Sequence, residues 1–177
     1  MPDSHVGLFI RVPEDLAGQF PPAPEEDTSP RHVTLLYVGD VPEDREEEFI
    51  SLVKGVASSW GPFKAAFDGL DFFKHVDKAR RVFYTRVKFN RDVGALRSTL
   101  WDILESKGFE VADSYPLAFN AHSTLDYVDG LDTPYKGPVP NGSWKVEALE
   151  IWGLPEGEVE ILLAPSPSRV ASRWVNR

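Results

Sequence analysis

Cysteine is absent from this chain, and methionine occurs once. Without a thiol there is no disulfide, no thiolate metal site and no cysteine nucleophile. Long apolar runs are missing too: no stretch approaches the roughly 18 residues that a membrane-spanning helix needs. The opening Met-Pro-Asp-Ser-His lacks a basic segment followed by an apolar one, so no secretory signal is expected and the chain is read as cytoplasmic. Positive charge is scarce, 19 Lys and Arg against 28 Asp and Glu, for a net charge of −9. Long nucleic acid is gripped mainly by broad basic surfaces, and this composition argues against that role. It leaves room for a small anionic ligand, a nucleotide or short oligonucleotide phosphodiester, held in a local cleft by a few cations and hydroxyls. No membrane partner is expected, and the chain is expected to be a monomer.

A chain of 177 residues with 42% hydrophobic and 27% charged residues is long enough for one well-buried core. Gly7–Val12 alternates as a strand, with Leu8, Ile10 and Val12 on one face and Phe9 and Arg11 on the other. A Pro-rich acidic loop with a turn of helix at Glu14–Gln19 fills residues 13–31. From Glu43 to Trp60 the apolar residues recur at helical spacing behind an acidic first turn. Strands are expected at Phe63–Phe73 and Arg81–Phe89, the second with Tyr84, Arg86 and Lys88 as a polar stripe. A helix follows, capped by Asn90 or Asp92, with the stripe Val93, Leu96, Leu100, Ile103 and Leu104 and a stop at Gly108. Further strands are expected at 118–128, Trp144–Trp152 and Glu158–Leu163, with Asp129–Ser143 as a flap beside a site. Residues 1–164 read as one domain of two similar lobes, and residues 165–177 as a loosely ordered Pro/Ser/Arg-rich tail. The fold class is α+β.

One pattern occurs twice. His32-Val33-Thr34-Leu35 is followed by Tyr37-Val38, and His122-Ser123-Thr124-Leu125 by Tyr127-Val128, 90 positions further on. Each copy lies in a strand-forming run, so alternation sets each His on the same face as the Thr two residues later. Two imidazoles facing a phosphodiester can divide the labour, one removing a proton from the attacking group and the other protonating the departing oxygen. Threonine hydroxyls donate hydrogen bonds to the non-bridging oxygens, where charge accumulates. His32 and His122 are therefore the candidate acid–base pair, and Thr34 and Thr124 the candidate phosphate anchors. No metal or other cofactor is required by this scheme.

With these motifs the chain resembles the two-histidine phosphoesterase superfamily, which includes RNA 2′,3′-cyclic phosphodiesterases described as 2′-5′ RNA ligases. The resemblance implies a bilobal α+β fold of two pseudo-symmetric halves, with antiparallel sheets lining a central cleft and helices outside. It implies metal-independent cleavage of 2′,3′-cyclic, 2′-5′ or cyclic (oligo)nucleotide phosphodiesters, 2′,3′-cyclic substrates typically leaving a 2′-phosphate. Family motifs frequently carry Pro or an aromatic residue directly before the His, where this chain has Arg31 and Ala121.

Tyr84 and Arg86, and likewise Phe9 and Arg11, are candidates to contact the phosphate or stack on a base. Tyr37 and Tyr127 have the wrong parity for the His face and are assigned to the core unless a bulge intervenes. His5 and His75 lack the motif and read as surface residues. One rival is a hydrolase using His32, His122 and Asp126 as metal ligands, since a regular strand would put Asp126 on the His122 face. Another is a module that binds nucleotides or RNA ends on the same fold without turning them over.

Overall fold

The computed structural model describes residues 5–25, 27–112 and 119–164, so the tail expected at 165–177 lies outside the described residues. The strands are β1 (Gly7–Arg11), β2 (His32–Tyr37), β3 (Phe63–His75), β4 (Arg80–Phe89), β5 (His122–Asp129), β6 (Ser143–Val146), β7 (Ala148–Trp152) and β8 (Val159–Leu162). They form two antiparallel four-stranded sheets, ordered β2-β1-β7-β8 and β5-β4-β3-β6. A single turn of helix, α1 (Glu14–Ala17), opens the Pro-rich loop. The longer helices are α2 (Glu46–Ala57) and α3 (Val93–Ser106). They pack on one another, α2 against β8 and α3 against β2.

Helix limits follow local chemistry. Asp92 is the cap of α3, its carboxylate accepting the Ala95 N–H at 3.1 Å, while Asn90 accepts the Lys64 N–H instead. Gly108, at φ +82°, ends the segment after α3, a left-handed conformation that costs glycine little. Val93, Leu96, Leu100 and Leu104 are buried against a continuous core that includes Leu8, Ile10, Val33, Leu36, Leu149 and Ile151. Each such aliphatic side chain contributes roughly 1.5–3 kcal/mol of transfer free energy.

Two expectations change. The run Trp144–Trp152 is not one strand: it breaks at Glu147, β6 pairing with β3 in one sheet and β7 with β1 in the other. The lobes are therefore not the halves of the sequence, because the last strands of the chain complete the first lobe. Residues 130–142 line neither cavity beside the paired histidines, so they are not the expected flap. They pack elsewhere, Tyr135 stacking on Phe83 at 5.2 Å and Gln19 exchanging hydrogen bonds with the Asn141 backbone.

Three register shifts bend the strands. One lies in β3 between Phe67 and Leu70, where Gly69 adopts φ +90°. The others fall at Leu35 in β2 and Leu125 in β5, each the residue directly after a His-x-Thr. A β-branched residue cannot take the Gly69 conformation without strain of about 1–3 kcal/mol. Gly69→Val should lower the urea midpoint by a corresponding amount, whereas Gly55→Ala, with open space around its added carbon, should not lower it.

Candidate active site

β2 and β5 are the outer strands of their sheets, and these two edges meet. The meeting places both motifs on one cavity of about 390 Å³, lined by His32 and Thr34 from one edge and His122 and Thr124 from the other. The two imidazoles are held alike. Nδ1 of His32 lies 2.7 Å from the Pro30 carbonyl, and Nδ1 of His122 lies 2.7 Å from the Asn120 carbonyl. A carbonyl only accepts, so each Nδ1 carries the proton and each neutral ring keeps its lone pair on Nε2. Two aromatic rings flank each imidazole: Phe9 and Trp152 at 5.0 and 4.9 Å from His32, Tyr84 and Phe73 at 4.8 and 5.7 Å from His122.

Strand pairing shows how deep this likeness runs. Phe9 stands opposite Thr34 and Arg11 opposite His32, as Tyr84 stands opposite Thr124 and Arg86 opposite His122. On the far side of the central strands, Glu150 pairs with Phe9 and Asp71 with Tyr84. Thus β7 corresponds to β3 although the two lie in different order along the chain.

The four flanking candidates differ in what they can offer. Phe9 and Tyr84 pack against the histidines and both are buried, Phe9 stacked on Trp152 at 4.3 Å and Tyr84 lining neither cavity beside the histidines. Arg11 and Arg86 share their histidines' sheet face but are already engaged and line neither cavity beside the histidines. Arg11 makes two hydrogen bonds, of 2.8 and 2.7 Å, to the Glu150 carboxylate. Arg86 binds Asp71 at 3.1 Å and the Asp68 carbonyl at 3.0 Å. Substrate contact by these two arginines is not what the geometry favours.

The bulges correct three further expectations. At Leu35 and Leu36 two consecutive side chains point inward, so Tyr37 returns to the cleft, 42% exposed. At Leu125 the same slip turns Tyr127 into the cavity. Neither tyrosine belongs to the core. The slip also takes Asp126 off the His122 face, towards the charge of Arg31. Among the described residues no three His, Asp or Glu side chains come together as a metal-holding group.

Reasoning from the sequence missed other walls of the cleft. His75, expected in a surface turn, ends β3 and lines the cavity together with Phe73, Arg97 and Phe119. Beside His32 a second chamber of about 380 Å³ is walled by Phe9, Tyr37, Trp152, Asp27, Ser29 and His5. No local pattern marks these residues, since they converge from separate elements.

Burial lowers both imidazole pKa values from the usual 6.5, because a desolvated ring resists charge. The carbonyl on each Nδ1 works the other way, as does Asp27 beside His32, while His122 and Arg31 add to the lowering at His32.

An α+β frame that presents two His-x-Thr pairs across one cleft defines a two-histidine phosphoesterase. The model of the 2′-5′ RNA ligase superfamily matches residues 14–156, and the chain belongs to that superfamily. An RNA 2′,3′-cyclic phosphodiesterase of Geobacillus stearothermophilus is 32% identical over 87 residues, which span 49% of this chain and 27% of that protein. The fold is similar to that of TT0787 of Thermus thermophilus, with TM-score 0.64 and 21% identity over 90% of this chain and 94% of that one. It is similar to E. coli LigT complexed with 3′-AMP (TM-score 0.59, 18% identity, 90% and 95% covered). Kluyveromyces marxianus Usb1 is also similar (TM-score 0.56, 11% identity, 91% and 99% covered). No described helix is long and apolar enough to cross a membrane.

Both pKa values can be read by ring NMR: His32 and His122 should titrate below 6.5 and show the Nδ1–H tautomer when neutral. A folded-state pKa below the unfolded one makes protonation oppose folding. The free energy of unfolding should therefore hold steady above about pH 6.5 and fall below it, and the fall should shrink in the double variant His32→Gln/His122→Gln.

Proposed function

We propose that this protein is a phosphodiesterase acting on 2′,3′-cyclic, 2′-5′ or cyclic (oligo)nucleotide phosphodiesters by a histidine pair. One observation carries the reading: both motifs line a single cavity with each Nδ1 tied to a backbone carbonyl, so that each ring offers Nε2 for proton transfer. With the phosphate between the rings, neutral Nε2 of one histidine takes a proton from water as its oxygen bonds to phosphorus. The other histidine, protonated, delivers its Nε2 proton to the ribose oxygen as the phosphorus–oxygen bond breaks. The Thr34 and Thr124 hydroxyls donate to the non-bridging oxygens, where charge grows in the transition state.

Burial keeps the free rings from charging, and a bound phosphate anion reverses that by favouring an imidazolium beside it. Asp27 favours charge on His32, while His122 and Arg31 oppose it. The aromatic chamber beside His32 supports a nucleotide over a simple phosphodiester, since its rings suit a planar base. The net charge of −9 and the neutralised Arg11 and Arg86 favour a short substrate over a long strand.

The test is a panel of 2′,3′-cyclic mononucleotides, 2′-5′ and 3′-5′ dinucleotides and cyclic dinucleotides, assayed with chelator. His32→Ala and His122→Ala should each lower kcat by about 10²-fold or more, and Thr34→Ala and Thr124→Ala by less. The profile of kcat/KM against pH should be bell-shaped with its maximum below about 6.5, and that of kcat should lie at higher pH. A profile without limbs in the imidazole range would remove the histidine pair from the mechanism, and binding in every variant with turnover in none would replace the enzyme by a binding module.

A further inference from the structure

The two bulges share a feature that strand pairing does not supply. A bulge leaves its extra residue without a ladder partner, and here both extra residues sit on edge strands. In each case an arginine from elsewhere in the fold takes the bulge carbonyl. Arg97, on α3 and 5% exposed, donates from Nε to the Leu35 carbonyl at 3.0 Å. Arg31, which directly precedes His32, donates from Nη1 to the Thr124 and Leu125 carbonyls at 2.9 and 3.2 Å. Its Nη2 reaches the Pro21 carbonyl at 2.6 Å, and its guanidinium lies over Phe20 at 5.0 Å from the ring centre.

We propose that Arg31 is a positioning residue for the reaction. It fastens the strand end carrying His32 to the bulge of the strand carrying His122 and so sets the span between the two rings. The guanidinium is suited to this task because its planar fork reaches two adjacent carbonyls on one side and a third on the other. Arg31 is adjacent to one catalytic candidate in sequence and bonds the backbone of Thr124, the phosphate anchor of the other motif. It acts through those groups, not on the substrate. A histidine displaced by about 1 Å can cost about 10²-fold in rate, so one clasp between two sheet edges has a large effect on turnover. Lysine can carry the charge there but cannot span all three carbonyls.

This inference rests on the phosphodiesterase reading, so its test has an arm that needs no turnover. Arg31→Gly and Arg31→Lys are purified, shown to unfold cooperatively, and compared with the parent chain by amide hydrogen exchange and by kinetics. In Arg31→Gly the β5 amides should exchange at least about tenfold faster than in the parent, and millimolar guanidinium should restore much of their protection. On whichever substrate of the panel is cleaved, kcat should fall by about 10²-fold with KM changed less than about threefold. Guanidinium should raise that kcat at least about tenfold without rescuing His122→Ala, and Arg31→Lys should fall between Arg31→Gly and the parent. Unchanged β5 exchange would overturn the clasp. A raised KM with kcat intact would make Arg31 a substrate contact and overturn the positioning role. Absence of turnover by the parent on the whole panel would defeat the phosphodiesterase reading and with it the catalytic role, while the exchange arm would still judge the clasp.

Discussion

Two sheet edges must be held against each other for this site to exist. An edge strand presents unpaired carbonyl and amide groups, and nothing in a sheet's own hydrogen bonding attaches one edge to another. Here β2 and β5 face each other, and the hydrogen bonds of Arg31 to the Thr124 and Leu125 carbonyls cross the gap. Arg97 does the corresponding work for the Leu35 carbonyl. Buried guanidinium groups are costly to desolvate, which is why each is surrounded by carbonyl acceptors and aromatic faces: Phe20 for Arg31, Trp101 and Phe119 for Arg97.

The histidine environments then follow from register. Because Phe9 and Tyr84, Arg11 and Arg86, and Glu150 and Asp71 occupy matching positions, each imidazole meets the same kinds of neighbour. Both rings are buried enough to resist protonation and both are oriented by a carbonyl two residues back. The symmetry breaks only in what surrounds it. Asp27 stands near His32 and an aromatic chamber opens beside that ring, whereas His75 and Phe73 line the His122 side.

Charge is handled locally in the same way. Arg11 and Arg86 stand beside the histidines yet are matched by Glu150 and Asp71, and an ion pair at part exposure gives modest stability.

The sequence alone was enough for the motifs, the pairing of each His with its Thr, the helices from their apolar spacing, and the α+β class. These are local matters, decided by side-chain alternation within a strand and by 3.6-residue periodicity within a helix. What lay beyond it depends on partners far away in the chain. The slips at Leu35 and Leu125 moved Tyr37 and Tyr127 into the cleft and Asp126 out of it, and a bulge is set by the strand alongside. The break at Glu147 sent β6 and β7 to different sheets, so the pseudo-symmetry is spatial and not sequential. Whether Arg11 and Arg86 were free for a ligand was decided by Glu150 and Asp71, whose approach only strand pairing could arrange. Periodicity says which way a residue faces; tertiary pairing says what it faces.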